Sequence, residues 1–194
     1  LGAPSEVTKV AQHVEHALET GPINAAELGK VIANRLPENA IVSDEGATNG
    51  LGAFLMTGNA APHDWLTLTG GAIGQGLPLA LGAAVACPDR KVLALEADGS
   101  AMYTVQALWT MVREDLDVTV LILNNGSYAI LNIELARVGV EKPGPTALSL
   151  LDLTNPAIKW TDIAKGMGMA AERVDTVEAL DLSLIHISEP TRPC

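Results

Sequence analysis

Residues 91–128, KVLALEADGSAMYTVQALWTMVREDLDVTVLILNNGSY, limit the possible folds more than any other part of this chain. Two apolar runs, 91–96 and 118–123, each stop at a short polar loop. Asp98-Gly99-Ser100 follows the first and Asn124-Asn125-Gly126-Ser127 the second. Residues 100–123 between the loops are enough for one helix and one strand. A strand–helix–strand unit of that size makes a right-handed crossover between parallel strands. Both loops then sit side by side at the carboxyl ends of adjacent strands, the edge where open α/β sheets bind ligands. The 118–123 run is nearly all apolar, which predicts a strand buried on both faces.

Taken alone, each loop is a plain turn, with an Asp or Ser helix cap in the first and a left-handed residue in the second. Taken together they carry chemistry. Asp98 offers a carboxylate, Asn125 an amide oxygen, and the following turn a backbone carbonyl. Hard oxygen donors of this kind suit Mg²⁺, which holds octahedral geometry at about 2.0–2.1 Å and completes its shell with water and phosphate oxygens. A helix predicted over 100–113 would aim its first amides at the same edge, favouring an anion. Metal plus diphosphate is the economical expectation.

The rest of the chain repeats the alternation. Apolar spacing predicts a helix over 5–19, stopped by Gly21-Pro22, and a second over 24–35 opened by an Asn24 to Glu27 capping box and ended by Pro37. Strands follow at 40–43 and 65–69 with a Gly-punctuated helix or loop (44–58) between them. A small-residue helix at 74–87 precedes the 91–96 strand. A loop at 142–145, a helix at 161–166 and a strand at 170–174 complete the pattern. The expected class is α/β: three layers, a mostly parallel sheet flanked by helices. At 194 residues, 48% hydrophobic and 18% charged, the chain can bury a real core.

Composition removes other classes of function. With 12 Lys+Arg against 23 Asp+Glu the net charge is −11, and aromatic residues are 3%. That leaves no basic stripe for a phosphate backbone and few rings for base stacking, so no nucleic-acid partner is expected. Acidity argues against anionic membrane surfaces, and the apolar stretches are interrupted short of a membrane span. With only Cys87 and Cys194, no disulfide scaffold is expected. The glycine segment 69–78 (TGGAIGQGLP) is not a dinucleotide fingerprint, because from Gly74 the third glycine position falls on Leu79. No P-loop is present either.

These loops resemble the diphosphate-binding domain of thiamine diphosphate-dependent enzymes, especially the acetolactate synthase and benzoylformate decarboxylase group. That family carries Gly-Asp-Gly followed, a helix and a strand later, by Asn-Asn, and the similarity runs from about residue 23 to 180. The resemblance implies that Asp98 and Asn125 ligate Mg²⁺ through their side chains and Ser127 through its carbonyl. Gly99, Ser100, Tyr128 and Ala129 would bond or flank the diphosphate, with a further contact from Thr48 or its neighbour Asn49. Gly71 would offer its carbonyl to the aminopyrimidine's exocyclic amine, and Ile73 would wedge beneath the bent cofactor. Ile130 and Leu131 would line the substrate pocket, Leu131 standing where pyruvate decarboxylase-like relatives carry a catalytic Glu. One departure is Ala97, where the family usually has Gly; a positive φ there would cost about 1 kcal/mol.

The resemblance further implies a carboligase acting on 2-oxo acids such as pyruvate, with a benzoylformate-type decarboxylase or a non-catalytic diphosphate-binding module as alternatives. No catalytic residue is expected in this chain, because the family's activating Glu lies on a separate pyrimidine-binding domain. In full length the protein would be a cytoplasmic (in a eukaryote, organellar) homodimer or homotetramer, with FAD as an option. The expected organisation is a linker helix over 1–22, the cofactor domain over 23–180, and a non-native tail over 181–194. Residues 183–194 (SLIHISEPTRPC) resemble translated sequencing adapter, which removes His186 and Cys194 from any metal or redox argument. His13 and His16 are expected on a solvated helix face, and His63 in a loop that could border the site. Met102, Leu108, Trp109 and Met111 are expected in the core, and Glu134 with Arg137 as a surface pair.

Overall fold

Short runs of aliphatic and β-branched residues become four strands in the computed structural model, which describes residues 14–140 and 142–188. They are β1 (Ile41–Glu45), β2 (Asp64–Thr67), β3 (Val92–Ala97) and β4 (Val118–Leu123). All pair in parallel, in the order β2-β1-β3-β4. The chain reverses its direction of travel across the sheet between β1 and β3. Such a switch point opens a crevice at the carboxyl edge. Register there places Glu45 beside Glu96, and Ala97 beside Leu123.

Helices cover both faces. In chain order they are α1 (Ala25–Arg35), α2 (Ala47–Met56), α3 (Gly76–Ala86), α4 (Asp98–Ala101), α5 (Ala107–Arg113), α6 (Ala129–Arg137), α7 (Pro145–Ser149), α8 (Trp160–Gly166), α9 (Val177–Ser183) and α10 (Ile185–Ser188). Strand alternation divides the core. Leu93 and Leu95 pack with Leu28, Val31 and Ile32 of α1, together with Val177 and Leu180 of α9. Val92 and Ala94 pack with Leu77, Ala80 and Ala84 of α3, together with Leu108 and Met111 of α5. This is the expected three-layer α/β arrangement.

Several expectations are corrected. Residues 14–20 are not helical. They run beside α1, where the His16 N–H donates to Asn34 Oδ1 at 2.8 Å and Asn34 Nδ2 returns a bond to the His16 carbonyl at 2.9 Å. The remainder of the expected first helix, with His13, lies outside the described residues. The 100–113 helix is broken into α4 and α5, since Thr104 in the intervening turn donates its hydroxyl to the Gly74 carbonyl at 3.0 Å. Leu108 and Met111 are core, but Met102 and Trp109 are 44% and 51% exposed. β4 is an edge strand, half-buried at every residue; β3 takes the fully buried centre. No strand forms at 170–174, and Thr176 makes only a single antiparallel bridge with Pro22. His63 precedes β2, at the sheet edge opposite the loops, and stacks edge-on to Trp65 at 5.9 Å.

Other expectations meet their geometry. Asn24 caps α1 by accepting from Ala26 and Glu27 N–H at 3.0 Å each, although Glu27 turns to Lys30 and the Glu19 N–H. Glu134 and Arg137 pair at 2.7 Å. Ala97 has φ −73°, so the family's glycine is not needed there for conformation. The expected non-native tail is a different case: of its residues 181–188, Asp181 pairs with Arg35 at 2.6 Å, while Leu184 and Ile187 are buried against the α1 layer. No helix among the described residues is long and apolar enough to cross a membrane.

Candidate functional site

Every loop leaving a strand's carboxyl end opens on this one edge: 46 after β1, 68–75 after β2, Asp98 after β3 and 124–128 after β4. The β3–β4 pairing brings the Asp98 and Asn125 loops together, as their spacing predicts. Asp98 is 1% exposed. Its Oδ1 accepts the Gly99 N–H at 2.9 Å and its Oδ2 the Gly126 N–H at 2.7 Å, tying one loop to the other. Each carboxylate oxygen keeps a further lone pair for a cation.

Asn125 is exposed, and its Oδ1 accepts the Ser127 N–H at 3.0 Å. Ser127 is held from outside the motif by the segment that begins at Leu151. The Tyr128 N–H donates to the Leu151 carbonyl at 3.0 Å, and the Leu153 N–H to the Gly126 carbonyl at 2.9 Å. These bonds bracket Ser127, whose own carbonyl takes no part in the pairing. Gly126 has φ +68°, and a side chain there would meet Thr154 Cγ2 at 2.8 Å. The supporting segment 151–154 gave no signal in the sequence, because its part is played by backbone atoms.

The diphosphate candidates surround this pair. Gly99 and Ser100 are buried in α4, and the Tyr128 ring lies directly over the Gly99 Cα. Burial, then the neighbouring Tyr103 phenol and the Asp98 charge, push the Tyr128 hydroxyl above its usual range. Because α4 is a single turn, it carries little macrodipole. In its place α6, nine residues long, starts at Ala129 with no side-chain cap on its first amides. Its N-terminus can receive an anion beside the Asp98–Gly126 link. Thr48 is half-buried in the first turn of α2. Ile130 and Leu131 are 43% and 45% exposed on the first turn of α6.

Across the switch point stands the glycine segment. Gly70, Gly71 and Gly74 all have positive φ, at 61°, 70° and 89°. Gly71 is exposed, with its carbonyl accepting the Ile73 N–H at 2.9 Å, and Ile73 is 43% exposed. Two acids beneath this segment were missed by sequence reasoning. Glu45 is buried and accepts the Gly74 and Gly76 N–H groups, each at 2.6 Å. Glu96 is fully buried, with both carboxyl oxygens lacking a hydrogen-bond partner. Burial, then the charges of Glu45 and Asp44, push it up to about 9, so it is neutral near pH 7. The available signal was slight: Glu96 ends the apolar 91–96 run and Glu45 follows the predicted 40–43 strand, and only register sets the two side by side.

Among the described residues no group of three or more His, Cys, Asp or Glu side chains is arranged to hold a metal. A cation at this edge therefore depends on one carboxylate plus amide and backbone oxygens. That donor set is hard and suits Mg²⁺.

Comparison with known proteins places the chain in a family. Residues 44–190 match the family model described as the thiamine pyrophosphate enzyme, C-terminal TPP binding domain. The chain is 54% identical over 177 residues to the Mycobacterium tuberculosis protein named "Putative acetolactate synthase large subunit IlvX", covering 91% of this chain and 34% of that one. It is 31% identical over 178 residues to benzoylformate decarboxylase of Pseudomonas aeruginosa, covering 91% and 32%. The solved thiamine diphosphate-dependent 4-hydroxybenzoylformate decarboxylase of Rhodococcus jostii RHA1 superposes with a TM-score of 0.76 at 28% identity, covering 89% of this chain and 32% of that one. The chain thus spans about a third of the length of these relatives. By its matched residues and its parallel sheet, the chain belongs to the thiamine pyrophosphate enzymes, whose C-terminal cofactor-binding domain it represents.

Proposed function

We propose that this chain is the cofactor-binding part of a thiamine diphosphate- and Mg²⁺-dependent enzyme acting on small 2-oxo acids, an acetolactate synthase-like carboligase. The observation that carries it is the bond from the Gly126 N–H to the buried Asp98 carboxylate, which unites the two loops in one site. Asp98, Asn125 Oδ1 and the Ser127 carbonyl would hold Mg²⁺. Gly99, Ser100, Tyr128, Ala129 and Thr48 would meet the diphosphate. Gly71 and Ile73 would receive the aminopyrimidine end. Bound thiamine diphosphate supplies the electron sink for breaking the bond between a 2-oxo acid's carboxylate and its keto carbon. The chain's own residues orient it and hold the cation that would neutralise its charge, while Ile130 and Leu131 present an apolar wall to the substrate. One relative, at 54% identity and named "Putative acetolactate synthase large subunit IlvX", favours the carboligase.

The benzoylformate decarboxylase relatives support a second reading, a decarboxylase that releases an aldehyde. In the full-length protein flavin is an option only, and a homodimer or homotetramer is the assembly we propose. Calorimetric titration of the chain with thiamine diphosphate, with and without Mg²⁺, tests the site. Binding is expected to require Mg²⁺ and to weaken at least about tenfold in Asp98→Ala, the loss of one charge-assisted contact. Binding that ignores Mg²⁺, or that Asp98→Ala leaves intact, defeats the proposal. Product analysis of the full-length enzyme with pyruvate and benzoylformate separates carboligation from simple decarboxylation.

A further inference from the structure

The glycine segment between β2 and α3 should be a floppy element. With Gly76, the first residue of α3, it holds four glycines, of which Gly70, Gly71 and Gly74 have positive φ, and its outer part is exposed. Glycines give up more backbone freedom on ordering than any other residue, so a fixed conformation here needs dedicated partners. At the β2 end the Gln75 side chain accepts the Thr69 N–H at 3.2 Å and donates to the Thr67 carbonyl at 3.3 Å; the shorter bonds lie at the α3 end. The Gly74 N–H goes to Glu45 Oε1 and the Gly76 N–H to Glu45 Oε2, each at 2.6 Å. The Gly74 carbonyl accepts from the Thr104 hydroxyl at 3.0 Å, and the Gly76 carbonyl from the Ser43 hydroxyl at 2.9 Å. Both peptide groups of both glycines are thereby claimed by side chains from β1 and from the turn before α5.

Glu45 is the centre of this clamp. Its carboxylate is buried, and both of its oxygens are engaged in short charge-assisted bonds. Space enforces the same arrangement. A side chain at Gly76 would strike Glu96 and stand 2.8 Å from Glu45 Cβ, and one at Gly74 would stand 2.8 Å from Tyr103 Cβ. The clamp reaches neither Asp98 nor Asn125. It acts on the far side of the switch point, directly before the loop that presents Gly71 and Ile73.

We propose that Glu45 is a positioning residue: its carboxylate grips Gly74 and Gly76 so that the Gly71 carbonyl and the Ile73 side chain are held ready for the aminopyrimidine end of the cofactor. The assignment rests on the cofactor site described above, but it concerns a different half of that site. Loop order and diphosphate binding are therefore separable.

Hydrogen exchange of the ¹⁵N-labelled chain measures the first part. In Glu45→Gln one acceptor becomes a donor facing an N–H, so Gly74 and Gly76 should exchange at least about tenfold faster, the equivalent of one lost hydrogen bond. Amides of Leu93 and Leu95 in the central strand should stay within about twofold. Glu45→Ala should exceed Glu45→Gln. Unchanged glycine rates overturn the proposal. So does an equal rise at Leu93 and Leu95, which would mark Glu45 as a support of the whole fold.

Titration measures the second part, with Mg²⁺–thiamine diphosphate compared against Mg²⁺ with inorganic diphosphate. Glu45→Gln should weaken the first at least about tenfold and the second less than about twofold. Equal loss of both, or of neither, overturns the positioning role. If the unaltered chain binds neither probe, the proposed function fails, and the exchange rates alone decide whether Glu45 orders the loop.

Discussion

Gly99 shows how closely this site is built around absent atoms. A side chain there would collide with the Tyr128 ring, at 2.7 Å from Cδ1, while the Tyr128 N–H bond to Leu151 fixes the backbone from which that ring projects. Gly99→Ala is expected to destabilise the chain by about 1–3 kcal/mol, as overpacking does. Urea unfolding of Gly99→Ala, Tyr128→Ala and the double variant checks the cause. The double variant should lose less than the two single costs added, since removing the ring removes the clash. Strict additivity would show that the collision is not the source. At this scale the sequence was informative where polar residues break an apolar run, and Asp98, Gly99 and Asn125 stood out for that reason. Glu45 and Glu96 did not, since an acid at a strand end reads as solvated until cross-strand register sets the two side by side in a buried layer.

Among elements, the central strand β3 carries the sharpest consequence, because it buries Glu96 without a hydrogen-bond partner. Its folded value is about 9 against an ordinary 4.5, chiefly through burial and then through Glu45 and Asp44. Between those pH values the folded chain holds a proton that the unfolded chain has released. Stability from this group is therefore fully present below about 4.5 and declines as pH rises toward 9. Glu96→Gln, neutral in both states, should flatten that decline and be more stable relative to the parent at pH 8.5 than at pH 5. Urea midpoints across this range read it directly, and parallel slopes in the two proteins would discard the assignment. Elements themselves were legible wherever one chain segment decides its own structure. Helix α1, with its Asn24 cap and apolar stripe, is such a case. The break between α4 and α5 was hidden because Thr104 bonds to Gly74, thirty residues away. Strand 170–174 failed for a related reason: an isolated run needs a neighbouring strand to pair with, and here only Thr176 finds one bridge.

On the scale of the whole molecule, the carboxyl edge of the sheet remains open. Ile73, Ile130 and Leu131, the apolar groups proposed to meet the cofactor ring and the substrate, are 43%, 43% and 45% exposed. Fast release of CO₂ from a 2-oxo acid is favoured by shielding the reacting centre, because a wet site weakens each directed charge and lets reactive species escape to water. Among the described residues nothing roofs the apolar half of the site, and the titratable groups there do not supply a cover. Asp98 is committed to Gly126, Glu45 to the glycine clamp, and Glu96 lies beneath them fully buried. None of these is placed to move a proton at the open edge. The 194-residue chain should accordingly bind Mg²⁺–thiamine diphosphate only weakly and produce no CO₂ from pyruvate or benzoylformate above the rate of the cofactor in buffer. A ¹³C-label assay for CO₂ at saturating Mg²⁺ and cofactor measures this. Turnover abolished by Asp98→Ala would place a complete catalytic apparatus within the chain and overturn the expectation. Background release alone, together with Mg²⁺-dependent binding, would assign this domain to cofactor capture and leave closure of the site to whatever covers Ile73, Ile130 and Leu131.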